Sequence, residues 1–362
     1  MSIPRRISRS VKVGPLTLGG NAPIAVQTMT NVDAGNSTGV LSQVQALERA
    51  GADIIRLTVP HLDAVRTISA CKEAGVSTPL VADIHFDYRM AIEAAAAGAD
   101  KIRINPGNIG DRARVREVVR ACRERGIPIR IGVNGGSLEK EILAKHGGVT
   151  PEAMLASALS HIRILESFDF TDILVSIKSS SVSDMIRANE LLAEACDYPI
   201  HLGVTEAGTV ALGRMKSAVG IGSLLCRGIG NTIRVSLTAD PSLEIKEGRN
   251  LLRALGLDPL WRVNLVSCPT CGRTRIDLIA LANELEERIE GEGLAMLPLT
   301  VAVMGCAVNG PGEAKNADLG IAGGDGEGLL FAGGKVIRKL PEPELIDGLI
   351  EEMKRLREEK IR

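Results

Sequence analysis

Eight short, β-rich apolar runs, separated by stretches with helical periodicity, fill the first two thirds of the chain. That alternation constrains the fold more than any other feature. The runs are Ile24–Thr30, Asp53–Val59, Pro79–Phe86, Lys101–Asn105, Pro128–Asn134, Asp172–Ser179, Pro199–Thr205 and Thr232–Thr238. Their starts lie 22 to 44 residues apart, the length of one βα unit each. Between them Gly39–Ala50, Leu62–Ala74, Ala91–Ala97 and Arg112–Arg125 carry apolar residues at helical spacing. The longest interval has room for an extra helix at Glu139–His146 before Pro151–Ser167. Strands alternating with helices imply a parallel sheet, and eight units imply a (β/α)8 TIM barrel rather than an open doubly wound sheet. Val11–Leu18 reads as a small hairpin turning at Gly14-Pro15 ahead of the barrel.

The pattern breaks after Asp240-Pro241. Ser242–Leu255 reads as a helix, and from Gly256 the chain becomes rich in Cys and Gly. The expected division is 1–255, the barrel, and 256–362, a smaller α/β domain. That domain holds strands at Val263–Cys268 and Leu299–Met304, a helix at Arg275–Glu290, a Gly-rich hairpin at Leu319–Lys335 and a closing helix at Glu342–Arg357.

Net charge and aromatic content exclude some partners. Lys+Arg 43 against Asp+Glu 44 leaves a net charge of -1, and aromatics supply 2%, which argues against a nucleic-acid surface. No stretch approaches a membrane span, and Met1-Ser-Ile-Pro-Arg-Arg leads into no apolar signal core. The expected compartment is the cytosol, where the seven cysteines read as thiols, metal ligands or catalysts.

Barrel chemistry sits at the C-terminal strand ends. There several runs place a cation in an apolar strand: Arg56, Arg103, Arg130, Lys178 and Arg234. Such charges are costly unless paired or facing a polar cavity. Converging on one mouth, they favour a polyanion, with Arg forks suited to phosphate oxygens. Asp83, His85, Asn105, Asn134, Ser137, Ser236 and Glu206 lie nearby in sequence. For any single cation, pairing with a carboxylate such as Asp83 or Glu206 is an equal alternative. Glu206 reads as an acid/base or as such a partner. With no phosphate-loop motif, a small phosphorylated metabolite fits better than a nucleotide.

The sharpest signal is Cys268-Pro-Thr-Cys271 followed by Cys306, with no further Cys or His in that domain. Structural zinc wants four such ligands, so zinc fails unless the barrel completes it. An iron–sulfur cluster held by three thiolates leaves one iron for an oxygen ligand or the substrate, and Glu313, close after Cys306, is the obvious donor. Cys71, Cys122, Cys196 and Cys226 read as plain buried or half-buried thiols. The rival readings are a phosphometabolite sensor with a zinc-like knuckle, and a Schiff-base aldolase using Lys178.

Nearly the whole chain resembles the 4-hydroxy-3-methylbut-2-en-1-yl diphosphate synthase family in its short, two-domain bacterial form. VQTMTN, RLTVP, VADIHF, RINPGNIG, GVNGGSLE, LGVTEAG, GIGNTIRVSLT, CPTCGRT and MGCAVNGPGEAKNADLGIAGG carry the resemblance. It implies reductive opening of 2-C-methyl-D-erythritol 2,4-cyclodiphosphate to 4-hydroxy-3-methylbut-2-enyl diphosphate, in non-mevalonate isoprenoid biosynthesis. It also implies a [4Fe–4S] cluster on Cys268, Cys271 and Cys306, with Glu313 as a fourth ligand that substrate displaces. Glu206 matches the acid/base position. Arg56, Arg103, Arg130, Lys178 and Arg234 would hold the diphosphate, with Asn134 and Ser236, and with Asp83, His85 and Asn105 beside them. A homodimer in which one subunit's cluster domain caps its partner's barrel is implied, with reduced flavodoxin or ferredoxin as donor. One departure is Asn231, where the family pattern reads G-I-G-D-T; it puts in doubt an acidic role there and leaves open the charge near Arg234.

Overall fold

The computed structural model describes residues 3–306 and 316–361. It divides into two compact units, Met1–Leu255 and Gly256–Arg362. The first opens on an antiparallel hairpin, β1 (Ser10–Val13) and β2 (Leu16–Gly19). Gly14 takes φ +57 at its turn, a left-handed value that glycine adopts at no steric cost. Eight parallel strands follow: β3 (Ala25–Met29), β4 (Ile54–Thr58), β5 (Leu80–Asp83), β6 (Lys101–Ile104), β7 (Ile129–Asn134), β8 (Ile173–Lys178), β9 (His201–Leu202) and β10 (Thr232–Ile233). Sheet order runs β8-β7-β6-β5-β4-β3-β10-β9, and the bridge Val175–Ile200 links the last strand back to the first. This is the TIM barrel that the alternating pattern predicts.

Helices separate the strands and end where local chemistry dictates. Asp111 caps Arg112–Arg125 by accepting the Arg114 N–H, and Gly126 closes it in the left-handed conformation. Thr150 caps Pro151–Glu166, whose first residue needs no N–H partner. The extra helix forms over Lys140–His146.

Hairpin residues Val11, Val13 and Leu18 bury themselves against Ala25, Ile54, Val81 and Leu174, near the starts of their strands. The hairpin therefore seals the N-terminal end of the barrel and leaves the C-terminal ends as the open mouth.

The second unit is a five-stranded mixed sheet in the order β11 (Asn264–Ser267), β12 (Thr300–Met304), β13 (Leu319–Gly323), β14 (Glu327–Ala332), β15 (Lys335–Pro341). The first three are parallel and the last two antiparallel. Helices Leu278–Gly291 and Leu345–Ile361 cover it, with Leu285, Ile289, Leu349 and Met353 fully buried. The sequence suggests a two-stranded hairpin over Leu319–Lys335, whereas the chain runs on into a third strand. β15 is an exposed edge whose Lys335, Arg338 and Lys339 hide its strand character and guard against edge pairing. Among the described residues no helix is long and apolar enough to cross a membrane.

Candidate active site

Strand register builds the barrel mouth. Met29 pairs with Arg56, Asp83 with Arg103, Arg103 with Arg130, and Asn134 with Lys178. Paired residues on parallel strands project to the same side, so these side chains meet inside the barrel. They line a cavity of about 660 Å³, counted to its open mouth, with Thr58, His85, Ser176, Thr205, Arg234 and Ser236.

All five strand cations reach this cavity, but they are not partnered alike. Asp83 takes Arg103 at 3.0 Å and Arg56 at 3.5 Å. Arg234 grips Glu244 through two nitrogens, each at 3.0 Å. Glu244 also accepts from the Leu237 N–H and the Thr28 hydroxyl. Neither Arg130 nor Lys178 has a carboxylate partner among the described residues. Arg130 is 1% exposed and reaches the Gln27 amide oxygen at 3.5 Å, while its Nε finds no acceptor. Met29 Sδ accepts from Arg56 Nε at 3.1 Å and Nη2 at 2.8 Å. Gly132 makes room for Arg103, since a Cβ there would stand 2.4 Å from its Nε.

The electrostatics follow from this crowding. Burial pulls Arg56 down to about 10, with Asp83 opposing. Burial, reinforced by neighbouring cations, drives Arg130, Lys178 and the inner-layer Lys101 well below their ordinary values. Burial also pushes the Asp83 carboxyl up, but Arg56, Arg103, His85 and Arg130 together outweigh it and hold it at about 2. A depressed carboxylate stabilises the fold above its unfolded value near 4, and that contribution is lost as pH falls through about 2. Asp83→Asn is therefore expected to cost about 2 kcal/mol at neutral pH. Denaturant unfolding of both proteins checks it: the difference should vanish near pH 2, and a pH-independent difference would contradict the ion-pair account.

Other sequence candidates are placed differently. His85 is exposed, its Nε2 3.9 Å from Asp83. Asn105 is buried outside the cavity lining and donates to Ser137 at 3.4 Å, so it braces the loop after β7. Glu206 is exposed, outside the lining, and holds φ +51, a left-handed value that costs a non-glycine residue about 1–3 kcal/mol. Asn231 lies before β10, accepts the Ile200 N–H at 3.0 Å and donates to Ser8 at 3.3 Å. It therefore knits backbone at the N-terminal end of the strand rather than setting charge at the mouth. Met29, Thr58, Ser176, Thr205 and Glu244 join the site without being expected from the sequence. Of these only Glu244 carries a readable signal, an acid at a buried helical position, and it resembles an ordinary first-turn carboxylate.

A second cavity lies between helices Val210–Cys226 and Pro241–Ala254. Its lining is mainly apolar, and its one arginine, Arg214, is paired with Glu247, so it offers a phosphate nothing.

In the second unit, Cys268 and Cys306 follow the C-terminal ends of adjacent parallel strands, β11 and β12. The Gly305 N–H donates to Cys268 Sγ at 3.3 Å, and the Gly305 carbonyl accepts from the Arg275 N–H at 2.9 Å. The Cys268–Arg275 loop is thus tied at both ends to the backbone beside Cys306. Cys306 is buried, Cys268 half-buried and Cys271 exposed. The Arg273 backbone N–H and side chain hold the Cys271 thiol below its ordinary value. Among the described residues no three His, Cys, Asp or Glu gather closely enough to hold one metal ion. A single zinc draws its thiolates to within ~4 Å of each other, whereas a cluster gives each iron its own thiolate and spreads the sulfurs further apart. Cys268 and Cys271 share one loop and Cys306 follows the adjacent strand, three soft donors of the kind that hold an iron–sulfur cluster. Glu313 lies outside the described residues. Of the remaining cysteines, Cys71 and Cys122 are buried, Cys196 is half-buried, and Cys226 is exposed, contrary to expectation.

Comparison with known proteins narrows the reading. Residues 8–249 match the GcpE TIM-barrel domain, and residues 264–355 match the GcpE protein C-terminal domain. A protein of Caldanaerobacter subterraneus named 4-hydroxy-3-methylbut-2-en-1-yl diphosphate synthase (flavodoxin) is 54% identical over 97% of this chain and 98% of its own length. A protein of the same name from Symbiobacterium thermophilum is 53% identical over 96% and 93%. Among solved structures, type I 3-dehydroquinate dehydratase of Clostridium difficile superposes on 69% of this chain and 98% of its own, with a TM-score of 0.51 at 14% identity; it shares the barrel alone. On these matches the chain belongs to the GcpE family of 4-hydroxy-3-methylbut-2-en-1-yl diphosphate synthases.

Proposed function

We propose that this chain reductively opens 2-C-methyl-D-erythritol 2,4-cyclodiphosphate to 4-hydroxy-3-methylbut-2-enyl diphosphate, a step of non-mevalonate isoprenoid biosynthesis. The observation that carries the reading is the mouth cavity, where five cations meet two carboxylates. Such an excess suits a ligand with two phosphoryl groups.

Residues 1–255 bind the diphosphate. Arg56, Arg103, Arg130, Lys178 and Arg234 neutralise it, while Asn134 and Ser236 add hydrogen bonds from the rim. Asp83 and Glu244 orient three of the arginines, and His85 and Asn105 finish the rim and its support. Residues 256–362 hold a [4Fe–4S] cluster through Cys268, Cys271 and Cys306, with Glu313 as fourth ligand. When bound, the cluster supplies electrons singly, two per turnover. One ring C–O bond breaks, a hydroxyl leaves as water, and Glu206 serves as the acid/base that protonates it. Its left-handed backbone fits a residue held for function at the expense of local strain. Reduced flavodoxin or ferredoxin is the donor. The working form is a cytosolic homodimer in which one subunit's cluster unit covers its partner's barrel.

Protein purified without oxygen should be brown, contain iron and acid-labile sulfide, and bleach in air. Its reduced paramagnetic resonance spectrum should change when the cyclic diphosphate is added. Colourless protein that holds zinc and turns over the substrate would refute the proposal.

A further inference from the structure

The mouth cavity has more cations than the described carboxylates neutralise. Asp83 serves Arg56 and Arg103, and Glu244 serves Arg234. Arg130 and Lys178 are 1% and 7% exposed and have no anionic partner among the described residues. A buried cation without a partner either finds one or gives up its proton. Guanidinium holds its proton under nearly all protein conditions, whereas the lysine ammonium yields its own readily when buried. The surplus charge is therefore shed at lysine.

We infer that Lys178 stands as a neutral amine in the empty cavity and takes up one proton as the cyclic diphosphate enters, so that ligand binding and proton binding are a single linked event. This rests on the function proposed above and adds to it how the site meets a dianion.

The surroundings of Lys178 carry the inference. Its Nζ lies over bare backbone, since a Cβ on Gly203 would stand 2.8 Å from it. Arg56 faces it from β4, Arg130 from β7, Arg234 from the segment after β10, and Glu244 from helix Pro241–Ala254. Asp83 and Arg103, from β5 and β6, and His85, from the loop after β5, share the same cavity. His201, at the start of β9, is fully buried beneath, pushed well below its ordinary value by burial and then by Arg130, Lys178, Lys101 and Arg56. For Lys178 burial is the largest influence, then Arg56, Arg234 and Arg130, with Glu244 too weak to compensate. Each phosphoryl group of the cyclic diphosphate carries one negative charge that does not titrate near neutrality, so the ligand itself supplies no proton. Its arrival provides the anion that Lys178 lacks and restores the ammonium. Lys101 carries a fully buried amine with no partner among the described residues, but it lies outside the cavity lining.

Calorimetric titration of the cluster-loaded enzyme with the cyclic diphosphate, in two buffers of equal pH and different ionisation heat, tests this. Below the ordinary lysine range proton uptake should accompany binding, up to one proton per site, and Kd should weaken as pH rises. Lys178→Arg, permanently charged, should bind without proton uptake and with a flat pH profile. Lys101→Met should retain the uptake. Binding with no proton exchanged overturns the inference and leaves the proposed function standing. Uptake that survives Lys178→Arg, or disappears in Lys101→Met, assigns the proton elsewhere and overturns it as well. Absence of binding removes the proposed function, and this inference with it.

Discussion

Cys306→Ser yields a colourless protein that still folds, binds the cyclic diphosphate and does not turn it over. Cys306 is buried at the end of β12, beside the Gly305 peptide that donates to Cys268 Sγ. Serine nearly matches the volume of cysteine, so the second unit should lose only about 1 kcal/mol of stability. The proposed ligand set has only three thiolates, and removing one leaves two soft donors where a cluster needs at least three. Outer-sphere changes at metal sites cost roughly 10–100-fold; loss of a ligand should exceed that and take turnover below detection. Iron and sulfide content, far-UV circular dichroism and calorimetric binding together separate cluster loss from unfolding. Undiminished iron or full activity would sink the three-thiolate reading.

Arg130→Met makes the protein more stable and a much poorer enzyme. Arg130 is 1% exposed, has no carboxylate partner among the described residues, and sits among Arg56, Arg103 and Arg234. Replacing a buried, poorly compensated charge by an apolar side chain of similar length is expected to stabilise by about 1–4 kcal/mol. The same change removes a charge-assisted contact to phosphate worth about 1.5–3 kcal/mol, which lowers kcat/KM by about ten- to 150-fold. The loss should appear mainly in KM, since phosphate anchoring is shared by ground and transition states. A variant less stable than wild type, or equal to it in KM, would contradict the view that Arg130 is held unpaired for the ligand. Asp83→Asn should move stability in the opposite direction, because it strips the partner from two arginines rather than removing a cation.

How far the sequence could be read depended on burial. The barrel strands are buried on both faces, so they stand out as continuous apolar runs, and a cation within one is conspicuous. That made Arg56, Arg103, Arg130, Lys178 and Arg234 visible as a set. Which of them are paired depends on strand register and on Glu244, which lies on a helix after the last barrel strand. Neither is written in local composition. Met29 and Ser176 are ordinary strand residues until register turns them inward. Asn105 sits near the mouth in sequence, but its side chain turns to Ser137. The left-handed backbone of Glu206 has no sequence signature, because glutamate gives no reason to expect it. The edge strand β15 is hidden in the sequence because its exposed basic residues resemble a loop. The spacing of Cys268, Cys271 and Cys306 marks three soft donors in one domain, but what they hold is implied by the family resemblance rather than by spacing.

The β1–β2 hairpin has a consequence for traffic. With Val11, Val13 and Leu18 corking one end, the bore is a blind alley. Among the described residues the polar cavity opens at the strand ends away from this plug, so the width of that opening governs how readily solvent reaches the buried cations.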